Sequence, residues 1–378
     1  MGSLEPVQTA LIGGPNESIV LSHSAPIPPD VLEDGMLAVE VKAVSLNPVD
    51  TKMLGGYHTA GAISGCEYAG IVTGVGVGVT DDWNIKVGDR VSAAIMGMNP
   101  RRPSVGAFAQ YSIAPAHCIL KLPDDWSFTH GAGIGNSWYT VPWALFHTLG
   151  LPPGPQLQPL SGWIDQSEPA LGAKVTLNAS KPQSVLVSGG SSSTGTCAIQ
   201  LLKLAGFGVI ATSSARNVDL VRSFGADDVF DYSDPDCASK IRVHTANSLR
   251  FALDCITTPE TTQLCYHALG RTGGRYVSLD PFSETVAATR KVVSAGWVLG
   301  PELMGEEIGW PAPHGRAPNP FARKFCVMWN KTLQKLLDEG QIRTHPQVVR
   351  DAGLEGVLEG LQDIREKKIS GQKLTYTL

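Results

Sequence analysis

Between residues 36 and 122 the apolar positions fall in short β-type runs separated by turn signals: LAVEVKAVSL, AGIVTGVGVGV, KVGDRVSAAI, GAFAQYSIAP and HCILKLP. Such runs, bounded by glycine and proline, predict strands, so this stretch reads as a compact β-rich domain. From residue 128 the pattern lengthens to a helical one in FTHGAGIGNSWYTVPWALFHTLG. Residues 151–182 are rich in proline and carry no pattern, which predicts a long loop. Strand-then-helix units follow: SVLVSG with TGTCAIQLLKLAG, FGVIATS with NVDLVRSFG, DVFDY with ASKIRVHTA, RFALDCI with PETTQLCYHAL, then GGRYVSLD and AGWVLGP. Buried strands alternating with amphipathic helices predict a doubly wound parallel sheet. Beyond Pro301 a second Pro/Gly-rich loop leads to a helix at 321–339 and a last helix–strand pair ending in KLTYTL, a tail able to pair back with the N-terminal domain.

The length, 378 residues, agrees with two domains, since a single core seldom grows past ~250–300 residues. The expected partition is α/β, with a β-rich domain from 1–142 and 317–378 and a nucleotide-binding domain from 143–316. Hydrophobic residues at 43% and charged residues at 17% describe an ordinary globular chain. A formal net charge of −5 offers no field to draw in a polyanion, so nucleic acid is not an expected partner. The seven cysteines are scattered, odd in number and without a CxxC pair, which argues against a disulfide framework and a thiolate zinc knuckle. No secretory signal and no apolar run of about 18 residues is present, and the expectation is a cytoplasmic protein without a membrane segment.

The strand-to-helix turn VLVSGGSSSTGTCAIQ at 185–200 keeps Gly189, Gly190 and Gly195. In a dinucleotide-binding turn the glycines allow a tight bend and a close approach of backbone N–H groups to pyrophosphate. If Gly190 and Gly195 are the outer fingerprint positions, Ser192 takes the middle one, flanked by Ser191, Ser193 and Thr194. Hydroxyls beside a helix N-terminus can donate to phosphate oxygens in place of bare backbone. An NAD-specific chain would place a carboxylate after the second strand; here the sequence is IATSSARN, with Ser214, Ala215, Arg216 and Asn217. Hydroxyl, amide and guanidinium suit a 2′-phosphate, so NADPH is the expected cofactor.

The order of parts resembles the medium-chain dehydrogenase/reductase superfamily over nearly the whole chain. Gly65, Glu67, Gly70, Val72 and Gly76 match its GxExxGxVxxxG pattern, and Gly88, Asp89 and Val91 its GDRV turn. The resemblance implies a GroES-like β-rich catalytic domain joined to a Rossmann domain. At the positions of the superfamily's catalytic zinc ligands the chain has Asn47, Cys66 and Asn136, and the four-cysteine structural lobe is missing. One sulfur with two amides is not a zinc site, so a metal-free enzyme is expected. Within the zinc-independent branch, NPVDTKM, the STG turn, GADDVFDY, GGRYVSLDPF, WVLGPELMGE, WPAPHGR and SGQKL resemble the trans-acting enoyl reductases of fungal highly reducing polyketide synthases, as in the lovastatin pathway.

That resemblance implies hydride transfer from NADPH to the α,β-unsaturated thioester of a polyketide on an acyl carrier protein, in secondary metabolism. The implied partner is a highly reducing synthase, including hybrids with a peptide synthetase, and the nearest relatives resemble monomers. It places Val49, Asp50, Thr51 and Lys52 over the nicotinamide end. Lys52 either steadies developing charge or relays a proton, or is a surface lysine at a turn. Thr140 either bonds the carboxamide or is a helix-capping or core threonine. Tyr232 is implied near the adenosine end or is simply packed; Leu279, Asp280, Ile369 and Ser370 are implied near the cofactor. Gly133, Ile134, Gly135, Asn136, Ser137, Trp138, Tyr139 and Thr140, with Gly300, Pro301, Glu302, Leu303 and Met304, are implied around the acyl chain, core packing explaining Ile134 and Leu303 nearly as well. Two other readings stay open: a free-standing NADPH quinone or enone reductase, and a non-catalytic NADPH-binding partner of a synthase.

Overall fold

The computed structural model describes residues 7–164, 169–173, 175 and 183–378. The chain divides into two compact units, one of Met1–Tyr139 with Pro301–Leu378 and one of Thr140–Gly300. Residues 301–316, expected in the nucleotide-binding domain, therefore group with the first unit. The reason is local: Trp310 is buried, its indole Nε1 donates to Met98 O at 2.9 Å, and its ring meets Tyr57 edge-on at 4.5 Å. Arg101 and Arg102 pair with Glu307 and Glu306 of the same segment. Likewise the border between the domains falls at Tyr139/Thr140 rather than at 142/143.

The first unit opens with a hairpin, β1 (Val7–Gly13) and β2 (Ile19–Pro26), paired antiparallel. Then come β3 (Met36–Ser45), β4 (Glu67–Val75), β5 (Arg90–Ala94), β6 (Tyr111–Pro115) and β7 (Ile119–Lys121). The hairpin lies ahead of the expected strands; its apolar positions do not alternate because the pairing shifts between Gln8 and Ala10.

Among the described residues the second unit holds six parallel strands: β8 (Ser184–Ser188), β9 (Gly208–Ser213), β10 (Asp228–Asp231), β11 (Phe251–Asp254), β12 (Gly274–Ser278) and β13 (Val293–Trp297). Their order, β10-β9-β8-β11-β12-β13, is the arrangement of a doubly wound dinucleotide-binding sheet, with the first strand at the point where the order reverses. Val185, Leu186 and Val187 of β8 are wholly buried, as expected of a central parallel strand covered on both faces.

Two strands after the second unit complete the first. β14 (Gln347–Arg350) and β15 (Lys373–Thr377) pair parallel, and β15 pairs antiparallel with β3. The result is a seven-stranded sheet, order β14-β15-β3-β4-β5-β7, with β6 also on β3. The return of the tail to the N-terminal domain is thus a strand in the interior of its sheet. Helix Pro320–Asp338 covers this unit with Phe325, Trp329, Leu333 and Leu336 buried at helical spacing.

Helix Ser193–Leu204 follows β8 so closely that a side chain has no room at Gly195: a Cβ there would lie 2.3 Å from Gly189 O and 2.8 Å from Gly190 Cα. Because these obstacles are backbone, they cannot rotate away. Gly195→Ala is expected to destabilise the second unit by about 1–3 kcal/mol or more and to weaken nucleotide binding, read as a lower urea midpoint and a weaker titration. An unchanged midpoint would mean that helix and strand are not in this contact.

Candidate active site

In the first unit the NPVDTK segment leaves β3 and turns into the short helix Pro48–Lys52, with proline at the first helical position, where its missing N–H costs nothing. Asn47 N–H donates to Asp50 Oδ2 at 2.7 Å and Thr51 Oγ1 to Pro48 O at 2.7 Å. Val49 and Thr51 are half-buried and Lys52 is exposed. Asp50, expected among the cofactor contacts, is fully buried and its carboxylate closes the first turn of its own helix. Burial pushes its carboxyl up to about 7, against the opposing pull of Asn47 N–H and the Cys66 thiol. Its Oδ1 accepts no hydrogen bond.

The centre of this unit's polar core is Glu67, the first residue of β4, fully buried. Its Oε1 accepts from Asn47 Nδ2 at 2.9 Å and pairs with Lys373 Nζ at 2.5 Å; its Oε2 accepts from Asn136 N at 2.6 Å. Lys373 Nζ, on β15, also donates to Asn47 Oδ1 at 2.7 Å. One carboxylate therefore fixes the start of the NPVDTK helix, the start of helix Gly135–Pro142 and the returning strand. Gly135 makes the second contact possible, since a Cβ there would lie 2.9 Å from Ala93 O and 3.0 Å from Glu67 Cβ. Neither Glu67 nor Lys373 was singled out for a role in the sequence reading. The available signal was a charge placed within an apolar strand pattern, CEYAGIV and KLTYTL, where burial demands a partner.

The same donors decide how zinc would fare. Both polar atoms of the Asn47 side chain are engaged, and the Lys373 ammonium already supplies a buried positive charge beside Glu67. Cys66 is buried next to Asp50, which pushes its thiol well above the ordinary value. A divalent ion would face an ammonium, a protonated thiol and occupied amides, so Asn47, Cys66 and Asn136 do not fit it.

The acyl-chain candidates divide by burial. Gly133, Ile134, Gly135 and Ser137 are buried and Asn136 half-buried. Trp138 and Tyr139 are core anchors rather than exposed contacts: Trp329 Nε1 donates to Trp138 O at 2.5 Å, and Asn330 Nδ2 to Tyr139 Oη at 2.7 Å. Gly300–Met304 form a 3₁₀ turn in which Leu303 is buried and Glu302 pairs with Arg316 Nε at 2.9 Å, leaving Pro301 and Met304 half-buried. Thr140 is the first residue of the second unit and 9% exposed. Ile369 and Ser370 are half-buried just ahead of β15.

In the second unit the serine turn is more specialised than four equivalent hydroxyls. Ser192 is the N-cap of helix Ser193–Leu204: its Oγ accepts from Gly195 N at 3.0 Å, donates to Gly189 O at 2.7 Å and lies 3.1 Å from Thr194 Oγ1. Its hydroxyl is engaged in the turn, so without ligand its part is to cap the helix whose N-terminus faces the expected phosphate site. The helix N-terminus it stabilises presents first-turn amides, a ready anion site, with half-buried Ser191, Ser193 and Thr194 around it. The end of β9 carries Ser214 and the 3₁₀ turn Ala215–Asn217, where Ala215 and Arg216 are exposed. Tyr232 follows β10 at 54% exposure, its N–H on Ser213 O at 3.2 Å, so the neighbouring strand ends bring it beside Ser214. Leu279 and Asp280 follow β12, with Leu279 N–H on Thr257 Oγ1 at 3.3 Å and Ser278 Oγ on Asp280 O at 2.7 Å. A capped helix N-terminus after the first strand and no carboxylate after the second fit a nicotinamide dinucleotide.

Two outcomes follow from the polar core. Glu67→Gln leaves Lys373 buried without its counter-charge and is expected to cost on the order of 3–5 kcal/mol; Lys373→Met is its mirror image, and the double variant should be less destabilised than the sum of the two, as measured by urea titration. Asp50 acts through pH. Its folded carboxyl titrates at about 7 and its unfolded one at about 3.9, so its contribution is fully present below about 4 and lost as pH rises through about 7. Asp50→Asn should therefore gain on the wild type between pH 5 and pH 8; a pH-independent difference would contradict the buried carboxyl.

Residues 33–124 match the family model described as the alcohol dehydrogenase GroES-like domain, and residues 193–288 the one described as zinc-binding dehydrogenase. The chain is 67% identical to the trans-enoyl reductase tasC of Hapsidospora irregularis, with 98% of each chain covered, and 64% identical to the trans-enoyl reductase cghC of Chaetomium globosum, again with 98% of each. Among solved structures it is similar to the CurK enoyl reductase, with TM-score 0.70, 18% identity and 99% of both chains covered. It is also similar to a putative zinc-dependent alcohol dehydrogenase from Rhizobium etli, with TM-score 0.72, 21% identity and 98% and 97% covered. At such identities these two likenesses concern the fold alone. Full-length agreement with the two fungal relatives goes further: the chain belongs to the trans-enoyl reductase family of medium-chain dehydrogenases/reductases, oxidoreductases that use a nicotinamide cofactor.

Proposed function

We propose that this chain is an NADPH-dependent enoyl reductase that works in trans, reducing the α,β-unsaturated thioester of a polyketide held on the acyl carrier protein of a partner highly reducing synthase. The observation that carries the reading is its 67% identity along the whole length to a trans-enoyl reductase. The choice of NADPH rests on the end of β9, where Ser214, Arg216 and Asn217 stand in the place an NAD enzyme fills with a carboxylate. A cytoplasmic monomer that docks to its synthase, hybrids with a peptide synthetase included, belongs to the same proposal. Among the described residues no helix is long and apolar enough to cross a membrane.

When bound, the nicotinamide supplies the hydride for the β-carbon. The chain's own part is to hold, orient and neutralise. The N-terminus of helix Ser193–Leu204, with Ser191, Ser193 and Thr194, is the proposed pyrophosphate site. Arg216 pairs with the 2′-phosphate through a planar, permanently charged fork, and Ser214 and Asn217 add hydrogen bonds. Tyr232 flanks the adenosine end; Val49, Thr51, Leu279, Asp280, Ile369 and Ser370 line the nicotinamide end. Thr140 orients the carboxamide. Lys52, exposed at the end of its helix, is the proposed cation for the charge that develops on the thioester oxygen, or the relay for the proton that reaches the α-carbon. Gly133–Thr140 and Gly300–Met304 are the proposed acyl-chain segments, with Ile134, Trp138, Tyr139 and Leu303 acting as the packed layer beneath it.

NADPH is expected to bind far more tightly than NADH. Arg216→Asp should weaken NADPH by roughly 10–100-fold, the worth of one or two charged hydrogen bonds, and leave NADH nearly unchanged; equal affinities in the wild type would overturn the assignment. With an enoyl acyl-pantetheine as substrate, Lys52→Ala and Thr140→Val should lower kcat while the fold persists. Faster turnover of a small diffusible enone than of the thioester would favour a free-standing reductase. Unimpaired complementation of a synthase by either variant would favour a partner that only binds NADPH.

A further inference from the structure

The first unit contains a second group of reactive side chains that enoyl reduction does not use. His117 and Cys118 end the 3₁₀ turn Ala116–Cys118 between β6 and β7; Cys326 lies in helix Pro320–Asp338. One donor atom from each lies within 4.8 Å of the other two. All three residues are buried, at 4%, 2% and 0% exposure. Cys118 Sγ and Cys326 Sγ are 3.9 Å apart, and Cys326 Sγ donates to His117 O at 3.3 Å. His117 Nε2 is buried with no hydrogen-bond partner.

Buried cysteines alone are ordinary small hydrophobes. A buried imidazole nitrogen with nothing to bond is not ordinary, because leaving it unsatisfied costs about 1–3 kcal/mol. Two sulfurs and a ring nitrogen of His117, all within 4.8 Å of one another and drawn from segments 208 residues apart in sequence, are the donor set of a soft cation. The support is rigid: Asn330, one helical turn after Cys326, donates to both Ile119 O and Tyr139 Oη at 2.7 Å, which clamps the helix to the chain just beyond Cys118. No carboxylate belongs to the cluster, so calcium and magnesium are excluded as natural occupants.

We propose that His117, Cys118 and Cys326 form a buried site for a soft, thiophilic cation that clips helix Pro320–Asp338 to the turn between β6 and β7. Binding displaces the thiol protons to solvent and forms two metal–sulfur bonds and one metal–nitrogen bond, with no change of oxidation state. Three donors suit monovalent copper, and zinc fits when a further oxygen completes four. The site contains none of the residues assigned to cofactor or substrate.

The test is metal uptake by the full chain under anaerobic, reducing conditions, with buffered Cu(I) in one arm and Zn(II) in the other, loaded both directly and by refolding from denaturant. The wild type and Cys237→Ser, which removes a buried thiol of the second unit, should each retain one equivalent after desalting, and loading should raise their melting temperatures. Cys118→Ser and Cys326→Ser should lose more than the about 10–100-fold in affinity that an outer-sphere partner is worth, with His117→Ala also weakened. Retention of Cu(I) alone assigns a three-donor site, and retention of zinc assigns one completed by a fourth oxygen. Should the serine variants fold poorly, alkylation of the wild type at a urea concentration where the metal-free protein opens its buried thiols decides: bound metal should protect Cys118 and Cys326 more than Cys237. Failure of both ions to bind the wild type stoichiometrically by either route, uptake indifferent to Cys326, or equal alkylation with and without metal would overturn the site.

Discussion

The first unit depends on the buried pair between Glu67 and Lys373. A carboxylate and an ammonium removed from water are tolerable only when each remaining lone pair and proton is also matched. Here the Asn47 amide bridges the two and the Asn136 backbone N–H takes the second carboxylate oxygen. The result is less a source of stability than a means of fixing positions. The segment carrying Lys52, the helix leading to Thr140 and the strand that follows Ile369 and Ser370 all meet one side chain. The proposed cofactor residues of this unit thus sit one or two bonds from a common anchor, which suits a site that must hold its geometry.

That anchor also explains why the positions at which a zinc-binding dehydrogenase holds its ion do not fit one here. The place where such an enzyme needs two or three anionic or imidazole ligands is occupied by neutral amides, a protonated thiol and a cation of the chain's own. The local charge is balanced internally, and under the proposed mechanism the cation for a thioester oxygen is the exposed Lys52 at the end of its helix.

Much of the fold was legible because its signals are local. The six parallel strands follow from buried runs alternating with helical ones, and the bend of the nucleotide turn from Gly189 and Gly195. The hairpin β1–β2 was not legible, because a register shift scrambles the alternation on which strand reading relies. The domain border was misplaced since WPAPHGR looks like a loop, while its attachment comes from Trp310 and from arginines two hundred residues upstream. Site residues divide in the same way. Exposed positions such as Arg216 and Lys52, proposed for the cofactor and the reaction, are visible as chemistry out of keeping with their surroundings. Ser192 and Asp50 carry the right chemistry but turn it inward on their own caps, and only side-chain direction distinguishes the two cases. Glu67 with Lys373, and Cys118 with Cys326, are pairs made by topology across more than two hundred residues, which a single sequence does not encode locally.

The interior place of β15 has a consequence for biosynthesis. Its neighbour β3 emerges from the ribosome early, whereas β15 follows only after the whole second unit has been made. Until then Ala43–Ser45 carry an open backbone edge, and Glu67 has a buried destination but no ammonium to meet it. The second unit, contiguous in the chain, can fold while the first waits. The nascent protein is therefore most vulnerable to edge-to-edge association in that interval, and the lysine that neutralises the core is also the last piece to close it.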